Sequence, residues 1–129
     1  MKIHKLNNGA TIITTSAHAF KFSDGSISEP QDVDVVNKFT LARTESKVDE
    51  IKGMTVNQVS MTLSEDQLKS LQELCVSADI VLIPFPVLTS LREQGIRSQF
   101  KNALAFNATK DTQRAAPGDK IVDLNNWSY

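Results

Sequence analysis

Cysteine is nearly absent: Cys75 is the only one in 129 residues. No disulfide can form within the chain, and a reducing compartment is the expected setting. Histidine is almost as scarce. Only His4 and His18 occur, and neither shares a metal-ligand spacing with Cys75, so neither a metal nor another cofactor is expected. The five glycines stand singly, which leaves no Gly-rich loop to cradle a phosphate chain. A surplus of one charge is missing too. Lys and Arg number 14 against 15 Asp and Glu, a net charge of −1, without the basic excess that nucleic-acid affinity draws on. No apolar run reaches the roughly 20 residues that cross a bilayer, and residues 1–6 lack the apolar stretch of a secretory leader. The expectation is a soluble cytoplasmic protein with no nucleic-acid or membrane partner.

What is present is ordinary globular composition, 40% hydrophobic and 22% charged. The length suits a single domain over residues 1–129 with its own core. The densest apolar run, Ile80-Val81-Leu82-Ile83, is rich in β-branched residues and reads as a strand buried on both faces. Pro84 and Pro86 end it, and Pro86 suits the first turn of a helix whose inner face is Val87, Leu88 and Leu91 and which stops near Gly95.

Upstream, residues 3–6 and 11–15 flank Asn7-Asn8-Gly9 as a hairpin. Residues 18–22 alternate, placing His18, Phe20 and Phe22 on one face. After an Asp24-Gly25 turn, residues 26–34 carry Pro30 and several acids and read as an exposed connection. Residues 35–44 predict a strand, and residues 48–56 a hairpin turning at Lys52-Gly53, its second strand setting Met54, Val56, Gln58 and Ser60 opposite Thr55, Asn57, Val59 and Met61. Ser64-Glu65-Asp66-Gln67 is a capping box opening an amphipathic helix over 64–76, with Leu68, Leu71, Leu74 and Cys75 inward. Cys75 there reads as a small buried hydrophobe. Residues 103–106 and 121–124 predict late strands, separated by a polar loop over 109–120. Strands first, then helix–strand–helix–strand, gives an α+β class: a mainly antiparallel mixed sheet of six to seven strands with two short helices.

In order along the chain, Ser16-Ala17-His18, Asp24-Gly25, Glu29-Pro30, Leu41-Ala42-Arg43, Ile51-Lys52-Gly53, Ile80-Val81-Leu82 and Gly118-Asp119-Lys120-Ile121-Val122 follow a recognisable layout. It resembles that of small proteins encoded by bacteriophages and prophages. Ala17 stands where that group tends to carry proline, and the helix over 64–76 replaces a turn-rich link. The resemblance implies a phage setting and an α+β fold, and it supplies neither a catalytic residue nor a ligand.

Candidate chemistry is thin. His18, sharing a face with Phe20 and Phe22, is either a packed core residue or the wall of a pocket. His4 is expected to be exposed. The start of the helix after Pro86 offers a soft anion site, with Thr89 and Ser90 in its first turn, Arg92 and Arg97 nearby, and Arg43 approaching from the sheet. Ser16 and His18 make no nucleophile–base pair, since nothing marks a sharp elbow. Trp127 and Tyr129 either dock on their own domain or form a partner contact, including self-association. The leading expectation is a non-catalytic, phage-encoded binding protein that occupies a host protein or sequesters a small anionic, nucleotide-like ligand. The alternatives are a small hydrolase using His18 on a nucleotide-like substrate, and a virion or assembly component that forms homo-oligomers.

Overall fold

The computed structural model describes residues 1–107 and 121–129; the loop expected over 109–120 lies outside the described residues. The class is α+β. In chain order the elements are β1 (His4–Lys5), β2 (Thr11–Thr14), β3 (Lys21–Phe22), α1 (Val33–Lys38), β4 (Ala42–Ile51), β5 (Met54–Thr62), α2 (Glu65–Ser77), β6 (Ile80–Leu82), α3 (Phe85–Glu93), a 3-10 turn (Arg97–Gln99), β7 (Ala103–Phe106), β8 (Ile121–Val122) and β9 (Trp127–Ser128).

The described strands divide among three sheets. A five-stranded sheet runs β1-β2-β6-β7-β9, while β3 pairs with β8 and β4 with β5. At its centre β2, β6 and β7 are parallel, and antiparallel β1 and β9 flank them. The parallel pairing follows from helical connections: α2 leads into β6, and α3 carries the chain from β6 to β7.

Alternation along these strands separates two cores. Ile13, Val81, Ile83, Ala103 and Ala105 face the helices and meet Val35 and Phe39 of the α1 region, Leu71 and Leu74 of α2, and Val87, Leu88 and Leu91 of α3. Ile12 and Leu82 face the opposite way, onto Leu6, Phe22 and Val122. Ile80–Leu82 is thus buried between two layers, which is why its sequence is unbroken by polar residues.

The helix ends are closed by side chains. Ser64 Oγ accepts from the Gln67 N–H (3.2 Å) while Gln67 Oε1 accepts from the Ser64 N–H (2.8 Å). The Gln67 amide also donates to Lys38 O and Thr40 O, tying α2 to the end of α1. At the other end of α2, Asn102 Nδ2 donates to Cys75 O and Ala78 O.

Three local expectations need correction. Residues 33–38 form a helix, not the start of a strand over 35–44. Val35 and Phe39, four apart, both enter the core, and Asp34 and Lys38 sit at the ends that suit the helix dipole. Residues 26–34 are not simply exposed. Gln31 is buried, donating to Lys2 O and Thr14 O and accepting from the Lys2 N–H, while buried Ser28 accepts from the Phe20 N–H. Residues 18–22 are not one strand, because Ser16 Oγ captures the His18 N–H and bends the chain there.

Candidate binding surface

The element least explained by packing is the β4–β5 arm. The Lys52-Gly53 turn was expected, but the ribbon runs from Ala42 to Thr62. Lys52 (φ 50°) and Gly53 (φ 80°) both take positive φ, and Ile51 faces Met54 across them. These are the marks of a two-residue type I′ turn, whose twist matches that of the strands. Every residue of β5 is exposed. Its apolar side chains stay in water: Met54 is 62% exposed, Val59 45% and Met61 42%.

The two strands are unlike in charge. β4 carries Arg43, Glu45, Lys47, Asp49 and Glu50, and its register slips by one residue between Lys47 and Asp49. Bulges and mixed charges of this kind blunt a sheet edge. β5 reads Met-Thr-Val-Asn-Gln-Val-Ser-Met-Thr, with no charge, proline or glycine. At its base Val59, Ser60 and Met61 face Phe85, Pro86, Thr89, Ser90 and Glu93 across a groove of about 410 Å³. Phe85, on the groove wall, is 48% exposed.

The residues singled out from sequence are dispersed. Arg43 lies on the arm and pairs with Glu45 Oε1 at 2.9 Å. Exposed Thr89 lines the groove, whereas Ser90 is buried and donates to Gln94 Oε1 at 2.9 Å. His18 is exposed and does not share a face with Phe20 and Phe22. His4 takes that place instead. Its ring stacks on Phe22 (centroids 5.1 Å apart, planes at 13°), and Nε2 lies 2.9 Å from Ser26 Oγ. Ser26 in turn donates to Asp24, and this bond, with the Asn7 N–H, holds the Asp24 carboxyl below its usual range.

The expected anion site at the start of α3 is also altered. The helix begins at Phe85, so Thr89 and Ser90 belong to its second turn. Pro86 has no N–H, and the N–H groups of Val87 and Leu88 both donate to Pro84 O. Little donor capacity is left there for an anion.

Arg92, Arg97 and Tyr129 do meet, but around the backbone. Arg92 donates through Nε and Nη2 to Tyr129 O. Arg97 is buried and donates to Phe100 O (2.5 Å) and Ala103 O (2.6 Å), with the Tyr129 ring 3.9 Å from its guanidinium carbon. Burial lowers the Arg97 pKa, and Tyr129 partly offsets this. Trp127 is half-buried, with Nε1 donating to Leu124 O, and β9 lies along β7. Trp127 therefore packs on its own chain, whereas Tyr129 covers the Arg97 guanidinium and otherwise stays exposed.

Burial pushes the Cys75 thiol up to about 11, with Arg97 nearby opposing the rise. A thiol raised on folding keeps its proton longer in the native state than in the unfolded chain. Its contribution is fully present below the ordinary value of 9.0 and is lost as pH rises through about 11. The expected result is that the unfolding midpoint falls more steeply above pH 9 in the native sequence than in Cys75→Ala. Parallel profiles would show that the thiol is solvated.

Comparison of the chain with protein families, curated proteins and solved structures finds no match. Among the described residues, no helix is long and apolar enough to cross a membrane.

Proposed function

We propose that this chain is a non-catalytic binding protein that recognises a host protein, with the β4–β5 arm as its contact element. One observation carries the reading: the uncharged β5 strand presents an open ladder edge over the groove lined by Met61 and Phe85. An exposed strand edge takes an extended segment of another chain through main-chain hydrogen bonds, and adjoining pockets hold alternate side chains. Apolar side chains left in water at such an edge gain about 25 cal/mol for each Å² that a partner covers. The phage setting rests on the motif order that resembles small phage proteins. The small-anion reading has less support, because the groove takes in Thr89 and Ser90 but none of His18, Arg43, Arg92 and Arg97.

The test is capture from bacterial lysate by the immobilised chain, repeated with a Met61→Asp, Phe85→Asp double variant. Both positions are exposed, so thermal unfolding should be unchanged. Charging two contact residues at the centre of an interface weakens binding by more than about tenfold. Equal capture by both proteins, no specific capture at all, or catalytic turnover of a nucleotide by purified protein would each overturn the proposal.

A further inference from the structure

A second cavity, of about 220 Å³, lies between β1, β2 and the segment over residues 27–29, and it shares no residue with the groove beneath the arm. We propose that it binds a small hydroxycarboxylate, with the ligand hydroxyl inward against Thr14, Ser28 and His4 and the carboxylate outward at Lys5.

Strand pairing and one buried side chain build the cavity. His4 stands opposite Ile12 of β2, and alternation along β2 carries Thr14 to the same face as Ile12. Buried Gln31 donates to both Lys2 O and Thr14 O and accepts from the Lys2 N–H. It thus extends the β1–β2 pairing and ties the chain just beyond residues 27–29 to it. Both sides of the cavity are held in place before a ligand arrives.

The inner end is polar and uncommitted. Thr14 is 3% exposed, yet its hydroxyl has no hydrogen-bond partner among the described residues. Among those residues Arg97 Nε is the one buried side-chain nitrogen or oxygen left bare, so the Thr14 oxygen reaches open space, and the cavity is the space that Thr14 lines. Ser28, equally buried, accepts from the Phe20 N–H at 3.0 Å and has no acceptor for its own proton among the described residues. His4 supplies the complement. The single Ser26 hydroxyl proton goes to Asp24 Oδ1 (2.5 Å), so Ser26 Oγ accepts from His4 Nε2–H, and the lone pair of the neutral ring falls on Nδ1. That nitrogen has no donor among the described residues. A ligand hydroxyl accepts from Thr14 or Ser28 while donating to Nδ1. An alkyl group there would leave buried polar groups unpaired, and a charged group would lose its hydration.

The outer end carries charge. Lys2 Nζ lies 3.9 Å from Glu29 Oε2, whereas Lys5, also lining the cavity, has no carboxylate partner among the described residues. One positive charge is left over at the mouth, which suits a carboxylate and disfavours an ammonium. Wholly buried Ile12 gives the carbon chain an apolar wall. The volume falls below the roughly 300–1,000 Å³ of pockets that take drug-sized ligands, so the fit is to a chain of about three or four carbons and not to a nucleotide.

The test is a nitrogen-15 NMR titration of the full chain with lactate, glycerate and 3-hydroxybutyrate. At least one acid is expected to give saturable shifts centred on residues 2–5, 12–14 and 27–29. The matching acid without its hydroxyl, and the matching methyl ester, should each bind at least about fivefold more weakly. Thr14→Val removes a hydroxyl that has no partner, so the unfolding midpoint should not fall while affinity drops at least about fivefold. His4→Phe retains a ring to stack on Phe22 and should lose as much affinity. Met61→Asp, Phe85→Asp should bind the acid as the native chain does. No saturable shift with any of the three acids overturns the inference. So do equal binding of the acid without its hydroxyl, tighter binding of alanine than of lactate, an affinity unmoved by Thr14→Val, and a loss of binding in the arm variant. Lysate capture by the arm is measured separately, so either reading can fall while the other stands.

Discussion

Truncating Leu88 to alanine should cost about 2–5 kcal/mol of folding free energy, among the largest losses from any single core change in this chain. Leu88 is wholly buried on the inner face of α3, where Leu71 of α2 and Val81 of β6 belong to the same core cluster. Removing its branched end forfeits the transfer energy of three carbons. It also leaves a cavity among neighbours fixed from two sides, by the parallel strands and by α2, so little collapse can relieve it. The control is Met54→Ala at the arm tip, where a side chain 62% exposed should change stability by no more than about 0.5 kcal/mol. Urea titration of both variants measures the contrast. Equal midpoints would mean that the core is not centred on α3.

The success of that α3 region as a sequence reading has a physical basis. Ile80–Leu82 and the helix after Pro84 were legible because burial on both faces demands a continuous apolar run, and proline placement is sterically restricted. The capping box at Ser64 was legible because both of its hydrogen bonds join residues three apart. Local chemistry of this kind is written locally. The α1 helix was hidden because Val33, Val35 and Val36 favour strands by propensity, while the burial of Val35 and Phe39 that decides the matter depends on elements far along the chain. Gln31 was hidden for the same reason, since its partners Lys2 and Thr14 lie 29 and 17 residues away.

At the candidate surface the informative signal is an absence of charge rather than the residue types that commonly serve as ligands. Histidines, arginines and hydroxyls attract notice as ligands, yet Ser90 proved to be a buried link to Gln94, and Arg97 a clasp for backbone carbonyls. The informative feature of residues 54–62 is nine positions without a charge beside a strand that carries five. The mixing of apolar and polar residues on both faces of this strand is legible in the sequence as well. It is what a ribbon exposed on both sides shows, because neither face is packed on a core.

Arg97→Ala is expected to destabilise the fold by about 2–4 kcal/mol, although it removes a buried charge with no acidic partner among its hydrogen bonds. The reason lies in the sheet edge that it closes. β9 pairs with β7 at Ala105 and Phe106 and then ends, so the Ala103 carbonyl receives no ladder donor on that side. Arg97 Nη2 takes that place while Nη1 holds Phe100 O, and the flat guanidinium fits beneath the Tyr129 ring. Alanine would strip the donor from two carbonyls at once, and an unsatisfied buried group costs about 1–3 kcal/mol. Lysine should not rescue the loss, because its point charge cannot span both carbonyls or stack on the ring. Tyr129→Ala should cost less, on the order of 1 kcal/mol, since it removes only the cover over the cation. The ordering alanine, then lysine, then the Tyr129 variant, from least to most stable, is read from guanidinium chloride midpoints. A native-like midpoint for Arg97→Ala would show that Arg97 does not hold the β7 edge, and that the contact between the two arginines and Tyr129 is dispensable for folding.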